Sequence, residues 1–418
     1  MIRIFLILGA LGMTFITAQV KAGDYTGAIS AAGGLQGRVL WCDAEANIWA
    51  LDSREKVAEL AEKCKEANFN TIVVDVKPLS GVVLYNSKVA PRLTIWNGRP
   101  YPQNYDLLQV MVEECRRVGI EVHAAVNVFS EAGANKPEGG SALANPDWQC
   151  IKYEVERWAK GASADAYPID GVNRLPLPGR LGLISDDKSI PKQIPEDYVS
   201  VLVDEDGTIA SIITGQPEQP IVLPDNGYML TASGPAGEWL KANAPAGAKL
   251  TIEGKPRFIR VGEAADEHRA VFVNPANPDV QAYELAVISE IVKNYDVDGI
   301  VLDRMRYPGI YADFSELSKE KFEAWLGQKL ERFPEDIFEI DPIPGREIIR
   351  GKYFGQWMEW RAKQIHDFVA EVRKSVKTAK PDALIGVYVG SWYEFYYDVG
   401  VNWASPEHVP PYDFASPT

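Results

Sequence analysis

The run Asp298-Gly-Ile-Val-Leu-Asp303-Arg-Met-Arg-Tyr-Pro308 sets an aspartate directly after a strand-forming stretch and follows it with two arginines. A carboxylate at the tip of a buried strand can act as a nucleophile or steady a developing positive charge. An adjacent guanidinium, from Arg304 or Arg306, is expected to lower the pKa of Asp303 and keep it ionised. The same pair also reads as a structural ion pair at a strand end. A second carboxyl is needed to hold and deliver a proton, and its pKa must be raised by burial or by a like charge. Glu394 lies in Ser391-Trp-Tyr-Glu394-Phe395, where Trp392, Tyr393 and Phe395 supply apolar surroundings. Glu131 is a rival for that role. Asp75, Lys77 and Asn127 also fall at strand ends, where they can hydrogen-bond a polar ligand or cross-link one another. Asp43 and Glu45 read more readily as such cross-links. Tyr307-Pro308 suits a stacking wall or simply a tight turn, and Trp392 is a further aromatic contact. His123 sits among apolar strand residues and reads as a core histidine.

The elements that must position these residues alternate between two hydrophobic periods. Strand patterns fall at 38–43, 71–76, 121–128, 299–302 and 384–389, and a sixth begins at 412–415. Helical spacing falls at 54–68, 105–118, 278–295, 315–333 and about 353–378. Continuous apolar strands separated by helices predict a parallel sheet covered on both faces. The chain lacks Gly-x-Gly-x-x-Gly after the first strand and the Gly-x-x-x-x-Gly-Lys-Ser/Thr loop, which favours a closed (β/α) TIM-type barrel over a nucleotide-binding open sheet. Eight strands close such a barrel, so the fold is expected to be incomplete at the C-terminus of this chain, with the natural domain continuing. Between 137 and 267 the alternation gives way to Pro, Gly and Asp. Short strands at 198–203 and 208–213 flank an Asp206-Gly207 turn, further strands fall at 227–231 and 249–253, and a helix falls at 236–242. This segment reads as a mostly β domain inserted after the third strand, dividing the barrel into 38–136 and 268–418.

A formal net charge of −15 disfavours nucleic acid and anionic lipid as partners. Residues 1–22 have the form of a signal peptide: a basic start at Arg3, an apolar core over 4–16, and Val20-Lys-Ala22 before a 23–37 linker. The protein is therefore expected to be exported, periplasmic or extracellular, with no integral membrane segment once the signal is removed. Cys42, Cys64, Cys115 and Cys150 fall in strand and helix patterns and read as buried free thiols. Four histidines and no Cys-x-x-Cys leave no zinc pattern, and no metal or other cofactor is expected. No Gly-x-Ser-x-Gly elbow is present.

Three stretches resemble the glycosyl-hydrolase-like family ten of bacterial barrel proteins, distant relatives of the alpha-amylase clan. They run from Arg38-Val-Leu-Trp-Cys-Asp43 through Val74-Asp-Val-Lys-Pro78, over Val122-His-Ala-Ala-Val-Asn127 to Glu131, and from Asn274-Pro-Ala-Asn-Pro278 through Pro308. The resemblance implies a glycoside hydrolase that cleaves a bacterial cell-wall or other extracellular polysaccharide through a carboxylate pair. Asp303 takes the nucleophile position and Glu394 the provisional acid/base. Asp75, Lys77, Asn127, Glu131, Arg304, Arg306, Tyr307 and Trp392 are the expected sugar contacts. Val301 stands where the clan carries an arginine, which keeps open a non-catalytic carbohydrate-binding protein on the same scaffold. A shorter likeness, 225–234, is to phosphodiester glycosidases.

Overall fold

The computed structural model describes residues 37–133, 139–161, 165–245, 247–264, 270–389 and 398–401. They form two compact units. Of the described residues, the first comprises those within 37–149, 270–307 and 364–389; the second comprises those within 150–264, 308–363 and 398–401.

Five parallel strands make the first unit: β1 (Val39–Cys42), β2 (Thr71–Lys77), β3 (Glu121–Asn127), β4 (Gly299–Asp303) and β5 (Leu384–Val387), hydrogen-bonded in that order. Helices α1 (Arg54–Glu66), α2 (Leu107–Val118), α3 (Pro278–Asn294) and α4 (Phe354–Ala379), the last belonging to this unit from Gln364 onward, intervene. Their ends are dictated locally. Ser53 and Asp106 accept backbone N–H bonds as N-caps of α1 and α2, and Gly119 ends α2 at φ 72°, a left-handed turn that costs glycine little. The central strands β2 and β3 read as unbroken apolar runs because helices cover the outer face. Among the described residues β1 and β5 do not pair, so ladder closure into a barrel is not formed there. The sheet is nevertheless rolled, because Trp41 on β1 and Tyr388 just past β5 bring their rings to 5.0 Å between centroids.

The second unit is built on a seven-stranded mixed sheet. In spatial order its strands are Ile209–Thr214, Tyr198–Val203, Tyr228–Ser233, Leu181–Ile184, Ala166–Val172, Ile151–Lys160 and Thr251–Arg260. The expected hairpin is present, with Val201 opposite Ile212, and the helix Gly234–Asn243 covers a core of Leu183, Val201, Leu230 and Leu240. The long strands Ile151–Lys160 and Thr251–Arg260 pair over their whole length. The first of these alternates apolar and polar residues over Ile151-Lys-Tyr-Glu-Val-Glu156 before Arg157 and Trp158 break the pattern, and no strand was expected there. Residues 308–363 also belong to this unit, which therefore draws on more of the chain than the segment 137–267. The helix expected over 315–333 is shorter, Glu316–Leu326, because Gly327 takes φ 76° and ends it.

All four cysteines are free and buried, and burial pushes the Cys42 and Cys115 thiols up to about 12. No helix of the described residues is long and apolar enough to cross a membrane. Residues 1–36, with the expected signal peptide and most of the linker, lie outside the described residues, as does the expected sixth strand at 412–415.

Candidate active site

Side chains two residues apart on a strand share a face. Trp41, Val73, Ala125 and Val301 form one apolar cluster on four neighbouring strands. Two residues further along each of these strands stand Asp43, Asp75, Asn127 and Asp303. A polar layer therefore caps an apolar one at the C-terminal ends of parallel strands, the end where catalytic groups of such folds gather.

Asp303 lies opposite Asn127 in the ladder. Asn127 donates through Nδ2 to Asp75 Oδ1 at 3.4 Å and to the Lys77 carbonyl at 3.1 Å. Asp75 and Asn127 are buried, whereas Asp303 is half-buried. Arg304 adopts φ 44°, a left-handed conformation unfavourable for a residue with a Cβ. Immediately after Asp303, its N–H donates back to Asp303 Oδ1 at 2.6 Å. Arg304 and Arg306 are both half-buried, and Arg306 lies over the Phe272 ring at 5.2 Å. Asp43 is exposed and caps a short helix through Ala46 N–H at 2.9 Å, a local structural role.

The electrostatics differ from expectation at Asp303. Burial raises its pKa above the ordinary carboxylate value, with Asp43 adding to the rise. The Arg304 charge, the Arg304 N–H and Arg306 oppose it without cancelling it. Asp75 is pushed much further up, first by burial and then by the neighbouring Asp303, Asp43 and Glu45 carboxylates. The two carboxyls thus have unequal environments, the pattern that divides proton-holding from ionised roles. Burial also pushes His123 down, so it stays neutral over a wide range, as a core histidine should.

Lys77 and Glu131 do not belong to the polar layer. Both side chains are 0% exposed. The ladder shifts by one residue between Asp75 and Lys77, so Lys77 pairs with Val126 and leaves the face that carries Asp75. Its ammonium ion-pairs with Glu131 and with Glu284 of α3, the latter at 3.1 Å, and donates to the Asn127 carbonyl at 2.6 Å. Two glycines make room for Glu131. A Cβ at Gly81 would sit 2.7 Å from its backbone carbonyl, and one at Gly140 would sit 2.1 Å from the same oxygen. Burial, then the Glu131 charge, hold the Glu284 pKa well above the carboxylate range despite Lys77. Tyr307 is also 0% exposed and offers no stacking face. Burial alternates along this segment, with Met305 and Tyr307 inward and Arg304 and Arg306 partly open. Glu394 and Trp392 lie outside the described residues. Glu284 escaped the sequence reading because it is embedded in the apolar stripe of α3, and its signal would have been a glutamate at a buried helical position.

Raised carboxyl pKa values have a defined consequence for stability. A group that binds its proton more tightly when folded contributes stability that is complete below its unfolded pKa, near 4, and lost as pH rises through the folded value. Asp75 and Glu284 should therefore each give a stability difference between wild type and the Asp75→Asn or Glu284→Gln protein that moves against wild type as pH rises from about 4 upward. Thermal melts across this range measure it. Parallel curves for wild type and both variants would contradict the assignment.

The chain is 27% identical over 388 residues to an S-layer-related protein of Niallia circulans, a match covering 88% of this chain and 18% of that relative's length. Among solved structures, the glycoside hydrolase domain of PgaB (BpsB) from Bordetella bronchiseptica is similar over 87% of this chain and 69% of its own, at 10% identity and a TM-score of 0.43. Alpha-L-fucosidase isoenzyme 2 from Paenibacillus thiaminolyticus is similar over 86% of this chain and 33% of its own, at 12% identity and a TM-score of 0.40. The family described as glycosyl hydrolase-like 10 matches residues 36–170 and 236–406, well over half of the sequence that carries the polar strand-end layer, and the chain belongs to that family.

Proposed function

We propose that this protein is an exported glycoside hydrolase that cleaves a bacterial cell-wall or other extracellular polysaccharide. The observation that carries the proposal is the pair of unequal carboxyls, Asp75 and Asp303, in one layer at the ends of the parallel strands β2 and β4, on either side of β3 and its Asn127. Asp303 has two guanidiniums nearby to favour its ionised form once above its pKa, and it serves as nucleophile or as stabiliser of the oxocarbenium-like transition state. Asp75, buried among carboxylates, holds its proton and supplies it, directly or by hydrogen bond, as negative charge develops on the leaving oxygen. Glu394, placed after the fifth strand, is the competing proton donor. Asn127 Oδ1 and Arg304 Nε have no hydrogen-bond partner among the described residues, and they give an acceptor and a donor for sugar hydroxyls.

Release of reducing ends from a panel of purified cell-wall and soluble polysaccharides tests the reading, with pH varied on any substrate found. Activity should fall as pH drops through the raised pKa of Asp303, which must be ionised. It should fall again as pH rises through the higher pKa of the proton donor. Asp75→Asn should remove the alkaline limb if Asp75 is the donor, and Glu394→Gln should do so if Glu394 is. Val301, in place of the clan's arginine, favours the second reading, a carbohydrate-binding protein without turnover. Saturable glycan binding with no cleavage of any panel member would establish that reading instead.

A further inference from the structure

The rolled face of the sheet carries an aromatic corner that neither the family assignment nor the carboxyl pair explains. Tyr388 is 55% exposed, although it follows a strand in the sheet directly and its N–H donates to the Leu302 carbonyl at 2.9 Å. That bond sets Tyr388 beside Asp303, one strand over. In a parallel ladder, neighbours in register project to the same side. Its ring indeed meets Trp41, a member of the apolar cluster beneath the polar layer, at 5.0 Å and an interplanar angle of 53°. Trp41 is half-buried, so part of the indole remains open. Gly386, opposite Val301, contributes no side chain, and this keeps the floor of the corner low. Two tilted rings, one resting on the cluster floor and one open to solvent, thus stand next to Asp303, Asn127 and Arg304.

We propose that Trp41 and Tyr388 form a stacking subsite for one pyranose ring of a neutral polysaccharide. This deepens the proposed function and rests on it. The axial C–H groups of a pyranose form an apolar, slightly positive face that packs on the negative face of an aromatic ring. The equatorial hydroxyls around its rim need polar partners, and the adjacent layer provides them. A flat apolar ligand would leave those polar groups unpaired, whereas an anion would meet the carboxylates of Asp303 and Asp43.

The test uses the full chain and three probes, the hexasaccharides of β-1,4-linked N-acetylglucosamine, β-1,4-linked glucose and α-1,4-linked glucose. Binding is followed by tryptophan fluorescence and by calorimetry, and cleavage is followed separately by reducing-end release. At least one probe should bind wild type. Tyr388→Ala should weaken that binding tenfold or more, and Tyr388→Phe should leave it within twofold, because the ring rather than the hydroxyl makes the contact. Trp41→Phe, chosen to spare the cluster beneath, should weaken binding by an intermediate factor. Equal binding by Tyr388→Ala and wild type, or no binding of any probe to wild type, would overturn the subsite. A probe bound through Tyr388 but never cleaved by wild type would leave the subsite standing and sink the hydrolase reading. Cleavage unaffected by Tyr388→Ala would do the reverse.

Discussion

Asp303→Asn is expected to reduce polysaccharide cleavage by about 10³-fold or more while leaving glycan affinity within a few-fold of wild type. The amide keeps the size of the carboxyl and its contact with the Arg304 N–H. It cannot form a glycosyl ester, and it carries no charge to offset an oxocarbenium-like centre. Because Asp303 is half-buried and its pKa is already raised, removing the charge should not harm folding, and the melting temperature should hold or rise slightly. Cleavage and calorimetric binding measured on one preparation separate the two effects. Unchanged turnover would take Asp303 out of the mechanism, and turnover lost together with affinity would make it a binding residue.

The second large effect is expected at Lys77, and it falls on stability. Lys77→Met removes the ammonium from a site that is closed to water and leaves Glu131 and Glu284 facing one another. Breaking a buried ion pair by deleting one partner costs about 3–5 kcal/mol. Urea unfolding at neutral pH should show that loss. Adding Glu284→Leu to Lys77→Met should recover part of it, because one fewer buried polar group is then left without its ammonium partner. A loss below about 1 kcal/mol for Lys77→Met would mean that water or a rearrangement satisfies the pair, contrary to the closed triad.

Much of the first unit was legible because its strands and helices follow the two hydrophobic periods closely. The observed starts of β2, β3, β4 and β5 coincide with the sequence reading, as do those of α1 and α3. Those strand ends led to Asp75, Asn127 and Asp303. What could not be read was direction within the layer. Strict alternation puts Lys77 beside Asp75, and only the ladder shift turns it away. Tyr307 reads with Pro308 as a stacking wall or a tight turn, yet its side chain is fully buried. The sign of the Asp303 shift was misread because an arginine next in sequence is visible in one dimension, whereas burial arises from residues distant along the chain. Trp41 and Tyr388 lie far apart in sequence and meet only because the sheet rolls.

The single extra residue in β2 has an effect beyond geometry. Val76 allows two ionisable side chains, only one position apart from it on either side, to answer to separate demands: position 75 to whatever occupies the hollow, position 77 to the cohesion of the fold. Substitutions at these sites can therefore accumulate independently, and a change of chemistry at the first need not unsettle the second. Without the ladder shift, with Val76 opposite Val126 and Lys77 opposite Asn127, the two tasks would merge, bringing a cation in among the strand-tip acids and stranding two acids behind them.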